Sequence, residues 1–287
     1  VPADPVDAAQ LVGDPLVRAV WRTRVLSALV MAPIALALAW IGGWAFALLL
    51  MAAAIVMAHE LGRLLLEGGG PFDVPILAGC GVVAVAITAA GYPFPAVLVV
   101  AGVALTLMAL RTVQNRPLLP ALLAYAYLGL PLIAFCWMRG TPSGLITVVW
   151  VLMLVWMTDT CALLVGKTVG GPKLAPLISP AKTWAGFFGG LAGAAITGAA
   201  FVAATGQGHV GAIALVSAGL GVLAQFGDLF ESHLKRRRGL KDSSRLIPGH
   251  GGLLDRVDGL IAAAAGVGLI AWIGSIIGVP GGLFIWT

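Results

Sequence analysis

The chain has 287 residues, of which 17 are Lys or Arg and 12 are Asp or Glu, so 10% carry a charge while 60% are hydrophobic. A soluble domain carries roughly 25% charged residues and could not cover its surface with so few, and disordered chains are polar and poor in large apolar side chains. What remains is an all-α polytopic integral membrane protein.

In chain order, residues 1–24 read as a cytoplasmic leader, with Asp4, Asp7, Asp14 and three prolines and no apolar periodicity in the first 17. Arg22 and Arg24 before an apolar run imitate a signal peptide, but eight further runs make an uncleaved first helix the better reading. A spanning helix needs about 20 mostly apolar residues. Nine runs fit, at 25–41, 44–65, 76–90, 95–110, 118–138, 145–165, 184–204, 210–230 and 259–277. Gly91-Tyr92-Pro93-Phe94-Pro95 separates the third from the fourth, since Gly and Pro stop helices. Residues 25–138 thus form an N-terminal membrane region of about five helices, and 139–287 a C-terminal region of about four. Cys80, Cys136 and Cys161 each sit inside an apolar run without CxxC spacing, which predicts free thiols acting as small hydrophobes.

Charge sorts the two sides. If the leader and every second connection share a side, that side holds every Lys and Arg except Arg139, sixteen of seventeen. The positive-inside rule then places the N-terminus and the polar site in the cytoplasm and the C-terminus outside.

Two connections on the basic side stand out, 166–183 and 231–258. Long polar connections in a bundle are usually functional or disordered. The first reads GKTVGGPKLAPLISPAKT; Pro172, Pro176 and Pro180 exclude a regular helix and predict a rigid irregular loop. It lacks Walker spacing, but Ser179, Lys182 and Thr183 lead into a helix start, which suits an anion. The second holds seven of the seventeen basic residues, four acids and two histidines. Its apolar residues recur, as in an ordered amphipathic segment. A lipid-facing anchor would explain Lys235–Arg238 but not Asp228, Asp242, Asp255 and Asp258, nor Pro248-Gly249-His250-Gly251-Gly252. Glycines around a histidine suit backbone that must approach phosphate oxygens.

Asp228 is expected to end the eighth span, and Asp255 and Asp258 to begin the ninth on one helical face. Carboxylates gathered at a membrane boundary need a neutralising cation, and oxygen-only ligands favour Mg²⁺ over zinc. Asp159, inside the sixth span, is a functional candidate by default. Glu60 and Arg63 can pair at i, i+3 as an interfacial anchor.

The run Ser232-x-Leu234-Lys235-Arg236-x4-Lys241-Asp242-x-Ser244-x2-Ile247-Pro248-x-His250-Gly251-Gly252-x2-Asp255-Arg256-x-Asp258 resembles the signature of phosphatidate cytidylyltransferases, or CDP-diacylglycerol synthases. Gln225-x-Gly227-Asp228-x3-Ser232, the segment from Lys173 to Gly186, and Asp159-Thr160 are similar too. The resemblance covers Asp159 to Asp258, and the N-terminal half adds little beyond its spans. Arg237-Arg238 makes the basic run heavier than in many relatives, and Cys161 and Leu163 depart from the usual Gly and Tyr.

The resemblance implies transfer of CMP from CTP to phosphatidate, with Mg²⁺ required and a second cation left open. It implies Asp228 and Asp255 as metal ligands and catalytic residues, with Asp258 and Lys241 in the same catalytic group. It implies a substrate site of Lys173, Ser179, Lys182, Thr183, Ser232, Lys235, Arg236, Asp242, His250, Gly251, Gly252 and Arg256. Partners are CTP, phosphatidate and membrane lipids, with no nucleic acid; a homodimer is also left open. Competing readings are a polyprenol kinase, a cytidylyltransferase for another lipid phosphate, and more distantly a transporter. The transporter predicts ionisable groups scattered at the midplane and an internal repeat, neither of which the sequence contains.

Overall fold

Hydrophobic runs of this length have one way to satisfy their backbone in lipid, as helices. The computed structural model describes residues 33–66, 71–244, 246 and 251–277. Among them are helices α1 (33–41), α2 (Gly43–Leu65), α3 (Asp73–Ala89), α4 (Pro93–Val113), α5 (Leu119–Arg139) and α6 (Gly144–Thr168). A hairpin of β1 (Lys173–Ala175) and β2 (Ser179–Thr183) precedes α7 (Trp184–Thr205), α8 (Val210–Arg237) and α9 (Leu254–Ile276). The chain is therefore an all-α multi-pass membrane protein, and each expected run meets a helix. The leader expected over 1–24 lies outside the described residues.

Among the described residues seven helices, α2 and α4–α9, are long and apolar enough to cross a membrane. The 17 residues of α3 rise about 25 Å at 1.5 Å per residue, somewhat short of a hydrocarbon core of about 30 Å. The 28 residues of α8 rise about 42 Å and so carry its last turns beyond that layer. The polar connection after the eighth span is correspondingly shorter than expected, because α8 continues to Arg237 and α9 starts at Leu254. Asp228 consequently sits inside a helix, over two turns before its end.

The 166–183 connection also differs from expectation. Its prolines do exclude a helix, but α6 runs to Thr168 and the remainder folds back as an antiparallel hairpin, with Lys173 opposite Thr183. Pro180 lies within β2, and a strand with a single partner tolerates proline. Thr183 then caps α7, its Oγ1 accepting from Gly186 N at 3.1 Å.

Helices α2–α5 form one half and α6–α9 the other, joined where α5 packs on α6 and α9. The outer faces remain apolar, with Leu98 of α4 72% exposed and Leu215 of α8 75% exposed, as lipid-facing positions should be. Cys80 and Cys136 are buried and all three cysteines are free. At the end away from the hairpin, Arg139 donates from Nε to Ala39 O (2.5 Å) and from Nη2 to Trp40 O (2.8 Å). The lone basic residue of that side thereby caps the C-terminus of α1.

The helices bearing the polar end approach closely at glycine. A Cβ on Gly227 would stand 2.6 Å from Asp258 O and 2.7 Å from Ala262 Cβ, so α8 meets α9 where its side chain is absent. Gly227→Ala is expected to cost about 1–3 kcal/mol of stability by forcing those helices apart. Gly219→Ala in the same helix meets no atom within 4 Å and should be neutral or stabilising by up to about 1 kcal/mol. Thermal unfolding in detergent compares the two, and equal losses would contradict the packing.

Candidate active site

The spacing of polar residues on α8 is the starting point. Asp228, Glu231, Ser232 and Lys235 recur at i, i+3, i+4 and i+7, which places them on one face of the helix. That face meets the first turns of α9, where Asp255 and Asp258 are three apart. The hairpin adds Lys182 from the α7 side.

Two lysine–carboxylate pairs result. Lys182 Nζ lies 2.6 Å from Asp228 Oδ2 and also donates to Gln225 O at 3.4 Å. Asp228 Oδ1 accepts from Ser232 Oγ at 3.3 Å. Lys235 Nζ lies 2.6 Å from Asp255 Oδ1 and 3.4 Å from Glu231 Oε1. Asp255 Oδ2 accepts from three donors, Ser243 N, Ser243 Oγ and Gly252 N, each at 2.9 Å. Asp255 is thus oriented as a carboxylate, while among the described residues its Oδ1 meets Lys235 alone.

Between the pairs lies the acid with the poorest company. Glu231 is fully buried, and among the described residues neither of its carboxylate oxygens receives a hydrogen bond; it faces Asp258 and the Lys235 ammonium. Asp258 Oδ1 takes the Gly259 amide at 2.7 Å. Asp159 on α6 stands within electrostatic reach of Asp228 and Lys182. Tyr127 of α5 brings into the field of Glu231, Asp258 and Asp228 a buried hydroxyl that has no hydrogen-bond partner among the described residues.

This donor set is all oxygen, and a buried carboxylate with unused lone pairs beside a second one fits a hard divalent cation. Among the described residues no group of three or more His, Cys, Asp or Glu already stands as a metal site.

The remaining expected residues fall as follows. Thr183 is buried and its hydroxyl is engaged in capping, while Ser179 is half-buried on β2 and Lys173 exposed on β1. Arg236 donates to Ile178 O (3.5 Å) and Leu240 O (3.3 Å), tying the hairpin to α8. Lys241, Asp242 and Arg256 are exposed around the same end. Gly251 has φ +83°, a left-handed conformation that favours glycine. Gly252 admits no side chain, because a Cβ would collide with Ser243 Oγ and lie 2.6 Å from Glu60 Oε1. His250 lies outside the described residues.

Glu60 corrects an expectation. Instead of pairing with Arg63 at the interface it turns inward, is 0% exposed, and accepts from Ser243, Ser244, Leu253 and Leu254. An acid within an otherwise apolar run was the available signal for it. For Glu231 the signal was its i+3 spacing from Asp228. Nothing in the local pattern pointed to Tyr127.

The profile of the cytidylyltransferase family matches residues 22–273. A phosphatidate cytidylyltransferase of Brucella melitensis is 40% identical over 293 residues, covering 92% of this chain and 97% of that protein. The Haemophilus influenzae protein of that name is 42% identical over 125 residues, 42% of this chain and 43% of its own. The one from Staphylococcus aureus (strain COL) is 42% identical over 138 residues, 48% of this chain and 52% of its own.

The two lysines differ in burial, and that decides what each is worth. The side chains of Lys235, Glu231 and Asp255 are 11%, 1% and 6% exposed, so Lys235→Met strands buried carboxylates and should cost about 3–5 kcal/mol. Lys182 and Asp228 are 22% and 33% exposed, and Lys182→Met should cost about 1 kcal/mol or less. Thermal denaturation of both variants checks the order; a costlier Lys182→Met would reverse it.

Proposed function

The chain belongs to the cytidylyltransferase family, and we propose that within it the protein joins CTP to phosphatidate, giving CDP-diacylglycerol and pyrophosphate. The observation that carries this reading is the convergence of Lys182–Asp228 and Lys235–Asp255 at one end of the bundle. Relatives bearing the name phosphatidate cytidylyltransferase match this chain over most of its length.

A phosphate oxygen of phosphatidate attacks the α-phosphorus of CTP, the Pα–O bond to the β-phosphate breaks, and pyrophosphate leaves with the electron pair. The nucleophile needs no strong base, because a phosphate monoester loses its second proton at a pKa of about 6. What the protein must supply is alignment and charge. Lys182 uses two of its three N–H donors on Gln225 O and Asp228, and Lys235 donates one to Asp255, so each ammonium keeps at least one N–H for a phosphate. Arg236, Lys241 and Arg256 ring the same end and would hold the triphosphate and the lipid head group, with Lys173, Ser232 and Asp242 beside them. Ser179 and the Thr183-capped start of α7 would close the hairpin side. His250, Gly251 and Gly252 of the motif would approach a phosphate.

Mg²⁺ is the cofactor this reading assigns. Asp228 and Asp255 would hold it, with Asp258 and Glu231 adjacent, and bound there it would neutralise charge on the α-phosphate. The site faces the cytoplasm in this proposal, where CTP is available, and the N-terminus lies on the same side. The one-sided distribution of Lys and Arg supports that orientation.

Purified protein given CTP, phosphatidate and Mg²⁺ should form CDP-diacylglycerol and pyrophosphate in equal amounts. Conversion of another lipid phosphate, with phosphatidate untouched, would sink the acceptor assignment. Asp228→Asn and Asp255→Asn should each lower kcat about 100-fold or more with folding retained. Sidedness is read by thiol labelling in a cysteine-free background. Arg237→Cys in an oriented membrane should react from the cytoplasmic side and Gln207→Cys, at the opposite end, from the other; the reverse pattern would invert the topology.

A further inference from the structure

Helix α9 begins without the usual help. Its N-terminal residues are Leu253 and Leu254, and no side chain of its own cap position accepts a hydrogen bond from the first turn. Leading amides of a helix need an acceptor, and a negative charge is favoured there by the helix dipole. Glu60 of α2 supplies both from 193 and 194 residues away, its Oε1 accepting from Leu253 N at 2.9 Å and its Oε2 from Leu254 N at 2.7 Å.

The same carboxylate also holds the chain that leads to α9. Ser244 Oγ donates to Oε1 at 2.6 Å. Ser243 Oγ lies 3.2 Å from Glu60 Oε2 and 2.9 Å from Asp255 Oδ2, so its one proton links the two carboxylates. All three donors to Asp255 Oδ2 come from Ser243 and Gly252. Those residues lie in the segments that Glu60 anchors at Ser243, Ser244 and Leu253.

We infer that Glu60 is a positioning residue for nucleotidyl transfer, a carboxylate of the N-terminal half that caps α9 and thereby fixes Asp255. This rests on the reaction proposed above. A buried anion with four donors is a rigid anchor, and a carboxylate meant to bind substrate or metal must be held to about half an ångström. The N-terminal helices therefore contribute to the site through Glu60 rather than only to the membrane body.

The test is Glu60→Gln, which keeps size but replaces one acceptor oxygen with an N–H donor facing the capped amides. Per folded molecule, kcat should fall at least tenfold while KM for phosphatidate stays within twofold. Hydrogen exchange should quicken at residues 251–258 and stay unchanged in α6. Ser243→Ala should also lower kcat, and the double variant should be little worse than the poorer single one, because both act through Asp255. Unchanged kcat, unchanged exchange at 251–258, or fully multiplicative losses would overturn the inference. If Glu60→Gln does not fold, Ser244→Ala removes one donor only; kcat should fall about threefold, and an unaltered kcat overturns the role. An unsubstituted protein inert towards CTP and phosphatidate would sink the reaction instead, and the exchange measurement would still decide whether Glu60 holds the Asp255 segment.

Discussion

A carboxylate at the edge of a hydrocarbon layer must be neutralised or supplied with donors, and the polar end of this protein is arranged around that constraint. Glu60, Asp228, Glu231, Asp255 and Asp258 all lie on α2, α8 and α9 at the hairpin end of the bundle, and each obtains a different remedy. Glu60 takes the Ser244 hydroxyl and two backbone amides, Asp255 takes two backbone amides and a lysine, the two share the one Ser243 hydroxyl proton, and Asp228 takes a lysine and a serine. Glu231 and Asp258 have the least. Desolvated anions with unused lone pairs are costly, and such a cost is tolerated where a cationic ligand completes the site.

Helix length and helix contact turn that constraint into a site. Because α8 extends beyond the hydrocarbon layer, Ser232, Lys235 and Arg236 reach the level of Asp255 while Asp228 stays deeper. The absent side chain at Gly227 lets α9 come close enough for Lys235 to span from one helix to the other. The hairpin then brings Lys182 to Asp228 from outside the α8–α9 pair, and Arg236 returns a hydrogen bond to it at Ile178. Catalysis of nucleotidyl transfer asks mainly for this kind of placement, since the lipid phosphate arrives already charged.

Much of this was legible in the sequence. The nine apolar runs meet nine helices among the described residues, and the spacing of Asp255 and Asp258 already placed that pair on one face. Ser232 and Lys235 belong to the expected connection, and they join Asp228 on one helix only because α8 runs on to Arg237. The motif from Ser232 to Asp258 led to the family that the comparisons establish. Glu60 was misassigned because an i, i+3 partner, Arg63, was available locally while its actual partners lie at least 183 residues away. The 166–183 segment was expected to be irregular because proline spacing excludes helix without indicating a hairpin. Thr183 was expected at the anion site, and its hydroxyl also accepts the Gly186 amide that starts α7.

The sequence by itself determined that the chain is a multi-pass helical membrane protein, at which end the charge gathers, and which motif the polar stretch carries. These are sums over neighbouring residues, and hydropathy and spacing report them directly. Only the tertiary structure decided which charge meets which partner: Lys235 with Asp255, Lys182 with Asp228, Glu60 with the start of α9. Such pairings depend on the rotation and depth of one helix relative to another, which packing sets and no local pattern records.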